Sequence, residues 1–199
     1  MAKYAETIER LMEEFGKLPG IGSRTAERLA FHILKASTDE AMGLARAIHE
    51  VKTKIRPCSR CFNLSEGELC NICSDARRDQ AIICVVEQPK DLLAIEATAA
   101  YGGVYHVLMG HIAPLEGLDP EDLTIDALLQ RVRAGGVREV ILATNPTVAG
   151  DGTSLYISSR LADVGVKITR LARGLPAGGQ IEYANKSILT DAITERRDV

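Results

Sequence analysis

The chain has 199 residues, 46% of them hydrophobic and 26% charged, a balance typical of a water-soluble globular protein with one large or two small domains. Aromatic residues make up 4% and tryptophan is absent, which argues against nucleic-acid binding through a platform of stacked rings. The net charge of −3 conceals an asymmetry: residues 17–56 carry eight Lys and Arg against four Asp and Glu, whereas residues 81–199 carry eleven against fifteen. This distribution predicts an N-terminal part that meets a polyanion, although two ordinarily solvated surfaces would also produce it.

Three helices are expected in the N-terminal quarter of the chain. Apolar residues recur at helical spacing over residues 1–16 and again over 24–35. The segment STDE then forms a capping box, from Ser37 to Glu40, for a third helix that runs to about Ile55. We expect this third helix to bury an apolar face composed of Ala41, Leu44, Ala45, Ile48 and Val51.

The segment LPGIGSR joins the first two helices and carries the first functional motif. Gly20 and Gly22 permit a tight turn and the close approach of another backbone, so the free N–H groups at the start of the second helix can face a phosphate. Arg24 and Arg28 lie four residues apart on one helix face, and Lys17 precedes the turn. The pattern predicts a helix–hairpin–helix module that binds DNA without sequence preference. A plain helical hairpin with a glycine-rich turn is the alternative.

Four cysteines follow with the spacing Cys58-x2-Cys61-x8-Cys70-x2-Cys73. Each CxxC turn directs two thiolates to one ion, and because protein would fill all four tetrahedral positions, a bound zinc ion would be structural. We expect one Zn²⁺ per chain, with redox-active thiols as the alternative. Four thiolates on a divalent ion leave a charge of about −2, which arginines close in sequence could offset: Arg56, Arg60, Arg77 and Arg78.

From residue 81 onward, predicted strands alternate with predicted helices. The strands are expected at 81–86, 104–110, 138–144 and 166–172, and the helices at 89–101, 124–135 and 153–165. Apolar strands that alternate with helices imply a parallel sheet covered on both faces.

Two strand ends form the candidate site of this sheet. Glu87 ends the first strand, and the segment ATNPTVAGDG follows a later strand, so both could face the crevice where α/β sheets bind ligands. The layout resembles the Toprim domain, whose catalytic members bind Mg²⁺ through a strand-end Glu and a strand ending in Asp-x-Asp. Those members often read ATDPDREGEA, which aligns their two aspartates with Asn145 and Thr147 and their two glutamates with Ala149 and Asp151.

Mg²⁺ prefers charged oxygen ligands, and this corner retains few of them. We therefore expect it to make contacts rather than perform chemistry, with Glu87, Asn145, Thr147 and Asp151 as candidate partner contacts. A Mg²⁺-dependent Toprim enzyme of the primase or nuclease type is the alternative, and an adaptor held together by zinc, without DNA binding, is a third possibility.

Taken in order, these segments resemble the RecR family of bacterial recombination mediators over essentially the whole chain. The resemblance is carried by LPGIGSRTAERLAFHIL, by the four cysteines with RDQAIICVVEQPKDLLAIE, and by YHVLMGHIAPLEG, ILATNPTV and ARGLPAGGQIEY. It implies an α/β multi-module fold: a helix–hairpin–helix DNA-binding domain at 1–56, a four-cysteine zinc-finger module at 57–79, a Toprim-like parallel sheet at 80–173 and a C-terminal extension at 174–199 that makes oligomer contacts.

The resemblance also implies a function. Members of the family are non-enzymatic and act with RecO and RecF to load the RecA recombinase onto DNA coated by single-strand-binding protein. They assemble as dimers and ring-like tetramers able to encircle DNA, and their Toprim face helps to meet RecO. The family commonly has an acidic residue where Ala149 stands in this chain. Because no membrane-spanning run or signal-peptide pattern is present, we expect a cytoplasmic, nucleoid-associated protein.

Overall fold

The computed structural model describes residues 4–196, in two compact units, residues 4–55 and 56–196. Residues 1–3 of the first expected helix and 197–199 of the expected C-terminal extension lie outside the described residues. Between residues 4 and 196, none of the helices combines the length and the apolar character that crossing a membrane requires.

The first unit consists of the helices α1 (Glu6–Gly16), α2 (Ser23–Lys35) and α3 (Thr38–Lys54). Helices α1 and α2 pack against each other, and Tyr4, which precedes α1, makes two contacts with side chains of α2. Its hydroxyl donates a 2.7 Å hydrogen bond to Glu27, and its ring meets Phe31 edge-on with centroids 5.3 Å apart. The predicted capping box is confirmed, because the Ser37 side chain accepts from the Glu40 N–H and the Glu40 carboxylate accepts from the Ser37 N–H.

The prediction that α3 buries its apolar face is wrong. No residue of this helix is buried, and the side chains of Leu44, Ile48 and Val51 are 45%, 58% and 60% exposed. The remaining predicted core positions of this face, Ala41 and Ala45, are half-buried and exposed. Amphipathic spacing shows that a helix has an apolar face but not which element covers it, and α1 and α2 leave Leu44, Ile48 and Val51 of this face exposed.

The second unit begins with a small module formed by β1 (Arg56–Pro57), β2 (Leu64–Ser65) and the short helix α4 (Asn71–Ser74). The two strands pair antiparallel. The strands β3 (Asp79–Val86), β4 (Gly103–Val107), β5 (Glu139–Leu142) and β6 (Lys167–Arg170) follow and form one sheet in the order β4-β3-β5-β6. Every neighbouring pair in this sheet is parallel, as the alternation of strands and helices predicts.

The two faces of the sheet are covered by separate apolar clusters. The larger contains Ile83, Val85 and Val140 with the inward side chains of the helices α6 (Ile125–Arg133) and α7 (Val148–Leu161). The smaller contains Cys84, Tyr105 and Leu92, the last from α5 (Pro89–Glu96). The unit also has single turns of 3-10 helix at Pro114–Glu116, Pro120–Asp122 and Ile181–Tyr183. The helix α8 (Lys186–Thr194) follows them.

Several predicted boundaries differ from the structure: α7 ends at Leu161 rather than at residue 165, and β6 ends at Arg170 rather than at residue 172. Three further differences have local reasons. The strand expected to reach residue 110 ends at Val107, since Met109 has a φ of 67°. The helix expected to reach residue 101 ends at Glu96, before Ala99 with a φ of 54°. Helix α7 begins five residues earlier than expected because the Thr147 hydroxyl accepts from the third N–H of the helix, at 3.1 Å.

Candidate zinc centre and nucleic-acid interface

The turn between α1 and α2 is built by its glycines. Gly20 has a φ of 77°, a left-handed conformation that favours glycine, and the Ile21 N–H donates to the Leu18 carbonyl at 3.1 Å. Gly22 is the extended N-cap residue of α2, and its carbonyl accepts from the Thr25 N–H at 3.0 Å. The first N–H groups of a helix have no partner inside it and carry positive partial charge, so this helix start can receive an anion.

The basic residues predicted to bind DNA surround this helix start. Arg24 and Arg28 are exposed on the first two turns of α2, and neither forms a salt bridge with another described residue. Lys17 differs from them because its ammonium pairs with Glu14 at 2.7 Å. The turn thus brings the two free guanidinium groups and the helix N–H groups to the same end of α2.

The four predicted zinc ligands come together in one buried cluster. The sulfur atoms of Cys58, Cys61, Cys70 and Cys73 all lie within 4.8 Å of one another, and each residue is at most 4% exposed. The sulfur atoms of Cys61 and Cys70 are separated by 3.5 Å. A tetrahedral zinc site with bonds of about 2.3 Å needs sulfur atoms roughly 3.8 Å apart, so this arrangement fits one zinc ion.

The electrostatics of the cluster favour a cation at its centre. Burial opposes ionisation of Cys58, yet hydrogen bonds from backbone N–H groups outweigh it and lower the pKa of this thiol to about 7. The hydrogen bond with Cys73, together with burial, raises the pKa of Cys61. Four neighbouring thiols cannot all ionise without a compensating positive charge, which a divalent ion supplies. When bound, the ion acts as a structural cross-link, since its four positions are filled by protein.

Most of the arginines predicted to offset the thiolate charge have other partners. Arg60 does lie against the cluster and donates to the Cys73 carbonyl at 3.3 Å. Arg56 donates to the Gly67 carbonyl at 3.3 Å, and Arg77 pairs with Asp75 at 2.8 Å. Arg78 forms a double hydrogen bond with Glu96, which also accepts from the Tyr105 hydroxyl. Of the four arginines that lie close to the cysteines in sequence, Arg60 is therefore the one that donates a hydrogen bond to a zinc-ligand residue.

The cysteine module packs against the edge of the sheet. Strand β4 lies at that edge, yet all five of its residues are buried. The Val107 N–H donates to the Cys61 carbonyl at 2.8 Å, and the Phe62 ring meets the His106 ring edge-on at 5.3 Å. Phe62, which directly follows Cys61, adopts a φ of 63°. The module therefore supplies the neighbour that an edge strand otherwise lacks.

At the carboxyl ends of β3 and β5, two of the predicted site residues meet directly. Glu87 is 3% exposed, and its carboxylate accepts from the Asn145 backbone N–H at 2.8 Å and from the Asn145 side-chain amide at 2.7 Å. The His111 ring lies 3.2 Å from the same carboxylate. Glu87 thus binds the loop after β5, and its oxygens face protein donors.

The other two predicted site residues of this corner, Thr147 and Asp151, have partners other than Glu87. Thr147 caps α7, and Asp151 forms a double hydrogen bond with Arg173, which lowers the pKa of the Asp151 carboxyl. Between residues 4 and 196, the only group of three or more potential metal ligands is the cysteine cluster. His111, Gly150 and Arg173 also contribute to this corner, and no spacing signal in the sequence identifies them.

Models of known protein families match the chain in the same order as these modules. The family model described as RecR, helix-hairpin-helix matches residues 8–52, that of the RecR four-cysteine zinc finger domain matches 55–75, and that of the Toprim domain matches 81–172. Together with the four converging thiols, this order defines a protein of the Toprim class that has a helix-hairpin-helix module and a four-cysteine zinc-finger module.

Individual relatives match over nearly their full length. The Recombination protein RecR of Rhodopirellula baltica is 55% identical over 99% of this chain and 99% of its own length. The protein of the same name from Rubrobacter xylanophilus is 52% identical over 100% of both chains, and that from Chloroflexus aurantiacus is 55% identical over 98% of this chain and 96% of its own. The chain belongs to the RecR family of recombination proteins, and its role lies in recombinational DNA repair.

Proposed function

We propose that the chain is a non-enzymatic, DNA-binding recombination mediator. It binds DNA through the start of α2 and acts with RecO-type and RecF-type proteins to load RecA onto DNA coated by single-strand-binding protein. The observation that carries this proposal is the pair of exposed guanidinium groups, Arg24 and Arg28, beside the N–H groups that follow the Gly20–Gly22 turn.

The chemistry of this helix end suits phosphate rather than bases. Both arginines lack a carboxylate partner in the described chain, so binding them to DNA breaks no existing salt bridge. The glycine turn has open space around it, since a Cβ added at Gly20 or Gly22 would meet nothing within 4 Å. A phosphate can approach the backbone there, and such contacts give affinity without sequence preference.

The strand-end corner supports a contact role in the same proposal. The Glu87 carboxylate accepts two hydrogen bonds from Asn145 and lies 3.2 Å from the His111 ring, whereas the side chains of Asn145 and Thr147 are exposed beside it. We infer that Glu87 holds the loop in shape and that the exposed residues, with Asp151 at the rim, meet the RecO-type partner. Alanine at position 149 leaves this surface less acidic than is common in the family, so hydrogen bonding and shape carry more of the contact.

The proposed assembly is a homodimer or a ring-like homotetramer that can encircle DNA. The exposed apolar face of α3, formed by Leu44, Ile48 and Val51, is the surface that a second copy would cover. The segment 174–196 offers further exposed apolar side chains, including Leu175, Ile181 and Tyr183. Apolar patches of this kind are typical of surfaces that associate.

A salt titration of DNA binding tests the proposed contact. We expect Arg24→Ala/Arg28→Ala to weaken binding to single- and double-stranded DNA of any sequence. Because each phosphate contact contributes roughly one unit to the slope of log affinity against log salt, the slope should fall by about 2. Fluorescence anisotropy at several salt concentrations measures both quantities.

A charge-matched control separates local contact from net charge. Arg10→Ala/Lys35→Ala removes the same two positive charges from positions away from the start of α2, and we expect a smaller change in slope. Equal effects of the two double variants would contradict the proposed contact. Mg²⁺-dependent cleavage or polymerisation of DNA that is lost in Glu87→Gln would overturn the non-enzymatic part of the proposal.

A further inference from the structure

The chain after β6 is attached to the sheet by polar groups rather than by apolar packing. None of the described residues from 171 to 196, which we call the C-terminal strap, is buried, and none joins either apolar cluster of the sheet. Large apolar side chains of this strap, such as Leu175 and Tyr183, are exposed. The position of the strap therefore depends on its hydrogen bonds and ion pairs.

Charged side chains of alternating sign connect the strap to the sheet. Arg173 donates to both carboxylate oxygens of Asp151, which lies in the first turn of α7. Glu195, directly after α8, accepts from the Arg173 backbone N–H at 3.3 Å. Its carboxylate also accepts at 2.9 Å from the guanidinium of Arg170, the last residue of β6. Both ends of the strap are thus fastened next to Asp151, a candidate partner contact.

The closed strap makes Asp151 unavailable to other cations. Both of its carboxylate oxygens already accept from Arg173, so a lysine or arginine of a partner protein can pair with Asp151 only after Arg173 has left. All four side chains of this ionic chain are partly exposed. Because exposed ion pairs contribute little stability and weaken as salt screens them, a partner with a well-placed cation can displace Arg173.

We propose that the C-terminal strap is an autoinhibitory contact of the Toprim corner, in which Arg173 withholds the Asp151 carboxylate from a basic side chain of a partner until the strap opens. Glu195 contributes by holding the far end of the strap against Arg170. The partner half of this inference rests on the proposed function, in which Asp151 meets the RecO-type protein. The opening of the strap can be measured without any partner.

Carboxyl labelling of the full-length, zinc-loaded protein measures this opening. A carbodiimide couples glycinamide to accessible carboxyl groups, and mass spectrometry gives the rate at Asp151 relative to Asp126, an exposed carboxyl on α6. We expect Arg173→Gln to raise this relative rate about fivefold, the factor that corresponds to the loss of one surface ion pair. Glu195→Gln leaves the pair of Asp151 and Arg173 in place but frees the end of the strap, so it should raise the rate about threefold.

Glu182→Gln provides the matched control inside the strap. Glu182 is exposed and belongs to no ion pair between residues 4 and 196, so its loss should leave labelling at Asp151 unchanged. Raising the salt from about 0.05 M to about 0.5 M should accelerate labelling in the wild type but not in Arg173→Gln, which lacks the pair that salt screens. Equal rates in Glu195→Gln and the wild type would overturn the role of the strap, since Arg173 would then hold Asp151 by itself.

Binding of the RecO-type protein tests the autoinhibitory half of the proposal. We expect Arg173→Gln and Glu195→Gln to bind this protein about fivefold and about threefold more tightly than the wild type, in step with their labelling rates. Glu182→Gln should bind as the wild type does. Faster labelling of Asp151 with unchanged affinity would overturn the autoinhibition.

Two further outcomes separate this inference from the proposed function. If no variant binds the RecO-type protein although Asp151 is labelled faster, the result contradicts the proposed partner and supports the opening of the strap, because labelling involves no partner. If Arg173→Gln does not fold, Glu195→Gln decides through the same two measurements: faster labelling with tighter binding supports the proposal, and wild-type values contradict it.

Discussion

The tightest steric constraint in the candidate Toprim site concerns Gly150, the third residue of α7. A Cβ at this position would lie 2.1 Å from the Asn145 carbonyl oxygen and 2.8 Å from a Glu87 oxygen. Neither group can withdraw easily, because the Glu87 carboxylate also accepts two hydrogen bonds from Asn145. The absence of a side chain at Gly150 therefore allows the helix start, the loop and the carboxylate to meet.

Gly150→Ala should destabilise the second unit. Overpacking against backbone typically costs 1–3 kcal/mol, and we expect a loss of about 3 kcal/mol in the free energy of unfolding. Gly152→Ala is the control on the same helix, since a Cβ there meets nothing within 4 Å, and it should gain up to about 1 kcal/mol from helix propensity. Urea unfolding of both variants measures the difference. Equal stability of the two would contradict the close approach.

His106 gives the fold a defined dependence on pH. Burial lowers the pKa of this histidine to about 4, opposed by the hydrogen bond with Thr124 and assisted by the charge of Arg131. In the unfolded chain a histidine titrates near 6.5, so between pH 6.5 and 4 the unfolded state binds more protons. The free energy of unfolding therefore falls as the pH drops through this window, with a limiting slope of about 1.4 kcal/mol per pH unit.

Comparison with His106→Gln isolates this contribution. Glutamine keeps a donor toward Thr124 but does not titrate, whereas the protonation of the zinc ligands affects both proteins alike. We expect the difference in unfolding free energy between wild type and variant to shrink by about 3 kcal/mol from pH 6.5 to 4. Parallel curves across this range would show that His106 does not stay neutral in the fold.

At the scale of elements, the cysteine module and β4 depend on each other. The Val107 N–H has the Cys61 carbonyl as its acceptor, whereas the next N–H, that of Leu108, donates to Val86 inside the sheet at 2.8 Å. Removing zinc releases the loop that carries Cys61, because structural zinc supplies the local folding energy. An edge strand without a neighbour then exposes its hydrogen-bonding groups.

Hydrogen exchange after chelation should reveal this dependence. We expect the Val107 amide to exchange at least about tenfold faster in the zinc-stripped protein, while Leu108, whose acceptor lies within the sheet, changes less. Amide exchange followed by NMR resolves the two neighbours. Equal acceleration of both would mean that the entire sheet unfolds without zinc, and no acceleration at Val107 would contradict the docking of the module.

Helices, strands and metal-binding motifs could be predicted from the sequence where the residues that define them lie close together in the chain. The Ser37 capping box, the parallel strands and the four converging cysteines all follow from spacing. The close packing at Gly150 was not predictable, because it depends on Glu87, which lies far away in sequence. The end of β4 was missed because Met109 adopts a positive φ that its residue type does not suggest.

At the scale of the whole molecule, the apolar face of α3 is the surface to test for the proposed self-association. Leu44, Ile48 and Val51 form a stripe at helical spacing and remain about half exposed. Beside this helix, a groove of about 510 Å³ is lined by side chains of all three helices, including Phe15, Leu29 and Leu44. In this first unit only Ala26 and Ala30 are buried among the described residues. Covering the stripe with a second copy would supply the apolar burial that the unit lacks.

A single charge on this face should weaken self-association. Ile48→Asp would place an unpaired carboxylate in an apolar contact, at a cost of about 3 kcal/mol or roughly a hundredfold in the dissociation constant. The fold should survive, because Ile48 is 58% exposed in the single chain. Light scattering over a range of protein concentrations measures the mass, and circular dichroism verifies the helix content.

The neighbouring residue provides the matched control for this interface. His49→Asp introduces the same carboxylate one position later, where the helix turns it away from the stripe by about 100°, and His49 is itself exposed. We therefore expect His49→Asp to keep the wild-type mass and Ile48→Asp to shift toward smaller species. A wild-type chain that stays monomeric at every concentration would contradict the ring. Equal dissociation by both variants would assign the effect to net charge, since only contact through the stripe distinguishes the two positions.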